Sequence, residues 1–162
     1  MIIKKVDGRD KEIQKSIRWM DAEVFPDDVP VTFTIGSVWF ILYQEDGAGW
    51  NVDPVAYAAW RPHIPMETIG ELHWNPAMGF LYRAGVLPEA RGKGYQKELI
   101  QVREIDMFGA GIKKSITYTD TGSIASMKSL IASGYKPYLP TAMTNLAGVG
   151  REAKFVHFEK DL

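Results

Sequence analysis

The sequence predicts a mixed α/β fold, a mixed sheet flanked by helices, in one domain spanning residues 1–162. Three observations predict it. Period-2 and period-3.6 apolar patterns follow one another in the order strand, helix, strands, helix, strand, helix, strands. The stretch from Met78 to Thr119 reads strand–helix–strand, which demands a right-handed parallel crossover. A hydrophobic share of 46% with 24% charged residues is ordinary globular composition.

The elements follow in order. Ile2 to Val6 is a short opening strand. Ile13, Ile17, Met20 and Val24 fall at steps of four, three and four and so share one helix face, with Asp10 as N-cap. Pro26 and Pro30 close that segment, and Val31 to Gly36 is a turn-rich connection. Ser37–Glu45 and Pro54–Trp60 read as a hairpin around Asp46-Gly47-Ala48-Gly49. Arg61 to Ala77 is a long loop with three prolines, of a length that is often functional but also fits a plain surface excursion. Met78–Leu87 is a strand ended by Pro88. A helix runs from Tyr95 with Leu99, Val102, Ile105 and Phe108 inward, stopped by Gly109 and Gly111. Lys113–Thr119 is a strand. Ser123–Ser133 is a helix with Ile124, Met127, Leu130 and Ile131 inward. Tyr135–Leu139 and Lys154–Leu162 are the last strands, joined by a loop containing Asn145, Gly148 and Gly150.

Composition excludes several function classes. Nineteen basic against twenty acidic residues give a net charge of −1, without the basic excess that nucleic-acid binding usually requires. There is no cysteine, hence no disulfide, thiolate zinc site or thiol nucleophile. The strongest apolar run, Val38–Tyr43, is far shorter than the ~20 residues of a spanning helix, and Met1–Val6 is too short an apolar start for a signal peptide. The expectation is a cytoplasmic protein acting without membrane or nucleic acid. His63, His73 and His157 lack the His-x-x-x-His spacing of a helical metal site, so no metal is predicted. No Gly-x-Ser-x-Gly elbow is present, so a serine hydrolase is unsupported.

The chemistry concentrates in Arg91-Gly92-Lys93-Gly94-Tyr95-Gln96-Lys97, which follows a strand and opens a helix. The first turn of a helix has backbone N–H groups without intrahelical partners and a partial positive charge. Glycines let the backbone approach an anion, and Arg91, Lys93 and Lys97 add full charges. Such a place suits a phosphate or pyrophosphate. The alternative reading is a tight turn with a solvated basic face. The P-loop string is absent, and a dinucleotide fingerprint would need a small residue where Lys97 stands.

Val86-Leu87-Pro88-Glu89-Ala90-Arg91-Gly92-Lys93-Gly94-Tyr95-Gln96-Lys97-Glu98-Leu99-Ile100 resembles the acetyl-coenzyme A motif of the GCN5-related N-acetyltransferases, whose core pattern is Gln/Arg-x-x-Gly-x-Gly/Ala. Arg91 and Gly94 match the pattern, and Gln96 departs from the small residue expected. Downstream, Ser123-Ile124-Ala125-Ser126 through Leu130, then Gly134-Tyr135, resembles the family's Asn-x-x-Ala/Ser…Leu-Tyr…Gly-Phe segment. Val156–Leu162 is similar to its final strand.

The resemblance implies a mixed, largely antiparallel central sheet with a splayed parallel pair, flanked by helices. It implies an acyl-CoA-dependent N-acyltransferase using acetyl-CoA and a primary amine acceptor, a small molecule or a peptide, with direct attack since no cysteine can hold the acyl group. A homodimer is compatible with it. Main-chain groups at Ala84, Gly85 and Val86 would meet pantetheine, with the Val86 amide as oxyanion donor. The amides of Gly92, Lys93, Gly94, Tyr95, Gln96 and Lys97 would meet the pyrophosphate. Ser123 stands at the Asn-like position.

The family's tyrosine acid, seven residues beyond the Asn-like position, falls here on Leu130, and the strand before the motif carries no carboxylate. Tyr82, which shares strand parity with Ala84 and Val86, and Tyr118, at the end of the next strand, are the candidate substitutes. Both also fit as sheet aromatics. Glu71 and His73 in the long loop are further candidates for reaching the amine through water. Asp21, Glu23, Asp27 and Asp28 form an acidic stretch that fits either a cationic acceptor or a solvated loop. The missing acid and carboxylate also motivate a second class, a non-catalytic acyl-CoA-binding module.

Overall fold

The computed structural model describes residues 1–45, 52–63, 78–141, 144–147 and 154–162. In chain order the elements are β1 (Ile2–Val6), α1 (Lys11–Val24), β2 (Val38–Glu45), β3 (Val52–Pro62), β4 (Met78–Val86), a 3-10 turn (Pro88–Ala90), α2 (Tyr95–Gly109), β5 (Lys114–Asp120), α3 (Ile124–Ala132), β6 (Lys136–Tyr138) and β7 (Phe155–Asp161). The strands form a seven-stranded sheet in the order β1-β2-β3-β4-β5-β7-β6. It is the mixed sheet that the element order predicts, largely antiparallel as the family resemblance implies. Its parallel pair is β4 with β5, whose ladder runs from Met78↔Lys114 through Gly79↔Ser115 to Phe80↔Ile116. β4 itself continues to Val86.

The chain divides into two compact units, each discontinuous in sequence. The first comprises Met1–Arg61 and Tyr82–Leu99. Here β1 pairs with β2 and β2 with β3, both antiparallel, with Ile3 opposite Leu42 and Ile41 opposite Tyr57. Asp10 caps α1 by accepting from the amides of Glu12 at 2.8 Å and Ile13 at 3.3 Å, which satisfies two donors that the first turn leaves open. Ile17 and Met20 of α1 join Trp39, Ile41, Ala56, Tyr57 and Ala58 in a core shielded from solvent.

The second unit comprises Pro62–Leu81 and Ile100–Leu162. β7 lies between β5 and β6, antiparallel to both. Ile100, Met107, Ile112, Ile116, Tyr135 and Phe158 are buried here. Inside it the Tyr135 hydroxyl donates to Ser115 Oγ at 2.7 Å and Lys160 Nζ meets Glu104 Oε2 at 2.8 Å, while Glu104 Oε1 is buried with no hydrogen-bond partner among the described residues. Among the described residues no helix is long and apolar enough to cross a membrane.

Two helices turn a different face inward from the one the spacing predicts. Ile105 and Phe108 of α2 are 64% and 62% exposed, while Leu99, Ile100, Arg103 and Met107 are buried. The expected stripe advances by threes. Three residues cover 300° of a 3.6-residue turn, so each step slips ~60° and the third has crossed to the opposite side. The true stripe passes through Arg103, whose guanidinium burial lowers to about 10, and a charge there hides the pattern. In α3, Leu130 is buried but Ile124 and Ile131 are exposed.

This assignment is measurable. Leu99→Ala should cost about 2–5 kcal/mol of unfolding free energy, as a cavity-forming truncation does. Ile105→Ala should stay within about 0.5 kcal/mol, as surface changes do. Denaturant unfolding of both variants checks it, and the reverse ranking would restore the threefold-step face.

Candidate active site

The C-terminal half of β4 and the turn that follows it build the site from backbone groups. The Leu87 amide donates to Val55 O at 2.9 Å. Strand alternation then turns the amide and carbonyl of Val86 away from β3. The Val86 carbonyl accepts from Arg91 Nε at 3.2 Å, so the motif's first arginine is braced on the strand that precedes it. Gly85 is buried, and a Cβ placed on it would lie 2.8 Å from Cε1 and 2.9 Å from the hydroxyl of Tyr57. Glycine is required there by the close approach of that ring.

The turn opens with Gly92 at φ 79° and Gly94 at φ 81°, the left-handed region that costs an L side chain ~1–2 kcal/mol. A Cβ at either position would meet nothing within 4 Å, so the glycines leave room in front of the backbone. Lys97 and Glu98 donate to Gly94 O. Among the described residues, the amides of Gly92, Lys93, Gly94, Tyr95 and Gln96 have no acceptor. Arg91, Lys93 and Lys97 are exposed around them. Lys93 turns toward β2, its Nζ 2.8 Å from Gln44 Oε1. The Tyr95 hydroxyl donates to the same oxygen at 3.3 Å. Uncommitted amides, a positive helix end and cations fit a bound polyanion.

Behind β4 lies a network that the sequence reading missed. Asp21 of α1 is 3% exposed. Its carboxylate accepts from Arg83 Nε at 2.7 Å, Arg83 Nη2 at 3.1 Å, the Val31 amide at 3.1 Å and the Tyr57 hydroxyl. Arg83 also holds Asp28 at 2.6 Å and stacks on Phe25, with 4.2 Å to the ring centroid. Burial, then the bond to Asp21, drives the Tyr57 phenol well above its ordinary range. Arg83 holds the Asp28 carboxyl below its ordinary range. Half of the acidic stretch is thus tied to one arginine, leaving Glu23 and Asp27 exposed. A signal was present: Asp21 sits four residues after Ile17, on the apolar face of α1, where an unpaired carboxylate is not tolerated.

Neither protein-family models nor curated protein sequences give a match to this chain. Solved structures do. The ribosomal-protein-S18-alanine N-acetyltransferase of Escherichia coli superposes with a TM-score of 0.65 at 10% identity, over 99% of this chain and 92% of that one. A Bacillus subtilis acetyltransferase solved in complex with CoA gives 0.65 at 11% identity, over 99% and 97%. A ribosomal-protein-alanine N-acetyltransferase from Brucella melitensis gives 0.64 at 16% identity, over the full length of both. The chain has the GCN5-related N-acetyltransferase fold.

Within that fold the two candidate acids have different surroundings. The Tyr82 hydroxyl shares a hydrogen bond with Thr32 Oγ1 at 2.9 Å, and its ring meets Trp39 edge-on and lies under the Arg61 guanidinium. Tyr118 stacks on Phe80 and His157 and meets Phe155 edge-on. Its hydroxyl has no hydrogen-bond partner among the described residues. His157 is buried, and its Nε2 accepts from the Leu146 amide at 3.2 Å. Ser123 precedes α3, exposed, with no side-chain bond capping the helix. Leu130 is buried and has no proton to give. Glu71 and His73 lie outside the described residues, as does most of the Arg61–Ala77 loop. The described residues contain no group of acidic residues and histidines arranged to hold a metal.

Two measurements check the network. Arg83→Met should cost about 3–5 kcal/mol because it leaves Asp21 buried and unpaired, whereas Asp21→Leu combined with Arg83→Met should recover much of that loss. The second concerns high pH. Tyr57 and Tyr135 are raised, and burial pushes Tyr138 up to about 12. Raised tyrosines favour the folded state fully below the unfolded value of ~10, and that contribution is lost as pH climbs from there toward the folded values. Unfolding free energy should therefore fall above pH ~10, at up to ~1.4 kcal/mol per pH unit for each such tyrosine. Tyr57→Phe should lower stability at neutral pH and flatten the alkaline decline. An unchanged alkaline slope would remove Tyr57 from the explanation.

Proposed function

We propose that this protein is an acyl-CoA-dependent N-acyltransferase that takes acetyl-CoA and a primary amine. The observation that carries this reading is the run of amides at Gly92–Gln96 without acceptors among the described residues, set between cationic side chains and opened by two left-handed glycines. The fold likeness to acetyltransferases, one of them solved with CoA, supports it. Gln96 is half-buried, and its departure from the family pattern leaves the amide in place.

When bound, acetyl-CoA supplies an activated acyl thioester; the chain supplies position and charge. Arg91 and Lys97 would flank the pyrophosphate over the amides of Gly92, Lys93, Gly94, Tyr95 and Gln96. Lys93 adds its amide, its ammonium being held by Gln44. The outward backbone groups of Ala84 would pair with the pantetheine arm, and the Val86 amide is left for the thioester. Gly85, whose backbone groups alternate toward β3, acts through its missing side chain. The neutral amine attacks the carbonyl carbon and the C–N bond forms. The Val86 amide would face the oxygen that gains charge. The C–S bond breaks, the Tyr118 hydroxyl would give its proton to the leaving sulfur, and the amine's proton passes to water. The Tyr82 hydroxyl, shared with Thr32, is the second candidate. Ser123 would contact the cofactor with its uncommitted hydroxyl. The absence of cysteine favours direct transfer and suits a cytoplasmic setting.

Thiol release from acetyl-CoA, followed across small amines and peptides, tests the reading. Acceptor-dependent release is the expected outcome. CoA binding without release for any amine would favour the binding-only module, which buried Leu130 at the family's tyrosine position motivates. No CoA binding would end both. Arg91→Ala or Lys97→Ala should raise the KM for acetyl-CoA roughly fivefold, the scale of an exposed charge pair. Tyr118→Phe should lower kcat at least about a hundredfold and alter the pH profile, as loss of a general acid does. An unchanged rate and profile would eliminate Tyr118 and turn attention to Tyr82→Phe.

A further inference from the structure

The Arg83 network closes a loop that begins and ends on β4. Arg83 of β4 grips Asp21 through Nε and Nη2. Asp21 grips the Tyr57 hydroxyl. The Tyr57 ring then returns to β4, filling the space a side chain at Gly85 would need. The three atoms of Tyr57 nearest that space, Cε1, Oη and Cζ at 2.8, 2.9 and 3.1 Å, belong to the outer half of the ring. Their position is set by the bond to Asp21. Tyr57 is wholly buried and Asp21 nearly so, so neither side chain has other rotamers open to it in a close-packed interior.

We infer that Tyr57 is a positioning residue for the cofactor: held by Asp21, its ring fixes the height of β4 at Gly85 and thereby aims the Ala84 and Val86 backbone groups at pantetheine and the thioester. The inference rests on the acyl-CoA reading. The contact with Gly85 is steric and the contact with Asp21 is a hydrogen bond, so the two halves are separable by substitution. Tyr57→Phe keeps the ring and releases its anchor. Gly85→Ala forces a methyl group against the ring. Tyr57→Leu removes the outer ring atoms that this methyl group would strike. A residue that merely stabilised the fold would lower the melting temperature and leave CoA affinity alone once folded. A positioning residue changes the KM for acetyl-CoA in protein that is still folded.

The experiment uses the full chain, with folding checked by circular dichroism, CoA affinity by calorimetry and acetyl-CoA KM and kcat by thiol release. Amide exchange at Ala84–Val86 is followed in the free protein. Gly85→Ala should weaken CoA binding and raise KM about tenfold, the scale of overpacking a filled site. Adding Tyr57→Leu should restore part of that loss, so that the double variant binds more tightly than the two single effects combined predict. Tyr57→Phe should raise KM severalfold with little change in kcat and speed exchange at Ala84–Val86 ahead of the rest of the sheet. Simple additivity, or folded Gly85→Ala protein with wild-type CoA affinity, overturns the inference and leaves the acyl-CoA reading standing. Wild-type protein that binds no CoA defeats that reading and the cofactor role together. Unchanged exchange at Ala84–Val86 in Tyr57→Phe would show that the ring's anchor does not hold β4 at all.

Discussion

A carboxylate buried to 3% exposure must be neutralised or paired, and the pairing of Asp21 organises the first unit of this protein. Desolvating an ion costs several kcal/mol, and a buried pair recovers that only with good geometry and its remaining lone pairs satisfied. Asp21 meets both conditions, with two guanidinium donors, a phenol and a backbone amide around its oxygens. The net stability of such a group is small, but its directional demand is strict. It joins α1, the segment after it, β3 and β4 at one point. The buried side chains of Ile17, Met20, Trp39 and Ile41 supply apolar burial. The ionic cluster adds a directional constraint that apolar burial alone does not carry.

The strand so fixed is the one that leads into the glycine turn. β4 runs from the parallel ladder at Met78–Phe80 to Val86, and the 3-10 turn and Arg91 carry the chain to the start of α2. Arg91 reaching back to the Val86 carbonyl ties turn to strand. Two kinds of electrostatics therefore serve one segment. Behind β4, charge is buried, paired and rigid. At its end, charge is exposed and the amides are left without acceptors, an arrangement stable in water and strengthened by an anion. A net charge of −1 conceals this division, because the total counts the structural carboxylates and the exposed cations alike.

The sequence was most legible where local chemistry alone decides structure. The Asp10 cap, the order of strands and helices, the parallel crossover and the glycine-bearing turn before α2 were all legible, and all stand in the fold. Legibility failed where a partner distant in sequence decides. Arg83 and Asp21 are 62 residues apart, and nothing in either local pattern names the other. The same blindness misplaced the inward face of α2, since a helix stripe containing Arg103 does not look apolar. Tyr57 read as one more alternating strand residue. Its hydroxyl's bond to Asp21 is a tertiary fact, and so is the demand for glycine at position 85.

The Arg83 network also changes what the acidic stretch implies about the acceptor. As a sequence pattern, the four carboxylates from Asp21 to Asp28, two at the end of α1 and two after it, fit attraction for a cationic amine. With Asp21 and Asp28 bound to Arg83, the local sum includes a guanidinium, and only Glu23 and Asp27 face solvent without that arginine's charge against them. Exposed carboxylates act through water and salt, which screen them within about 8–10 Å. Selection of the acceptor by charge would therefore have to come from groups close to the amine. On the first unit the Tyr82 hydroxyl meets Thr32, and its ring meets the edge of Trp39 and the Arg61 guanidinium, which are hydroxylic, aromatic and cationic. Under the proposed function, an acceptor bound beside Tyr82 would meet hydroxylic, aromatic and cationic groups there.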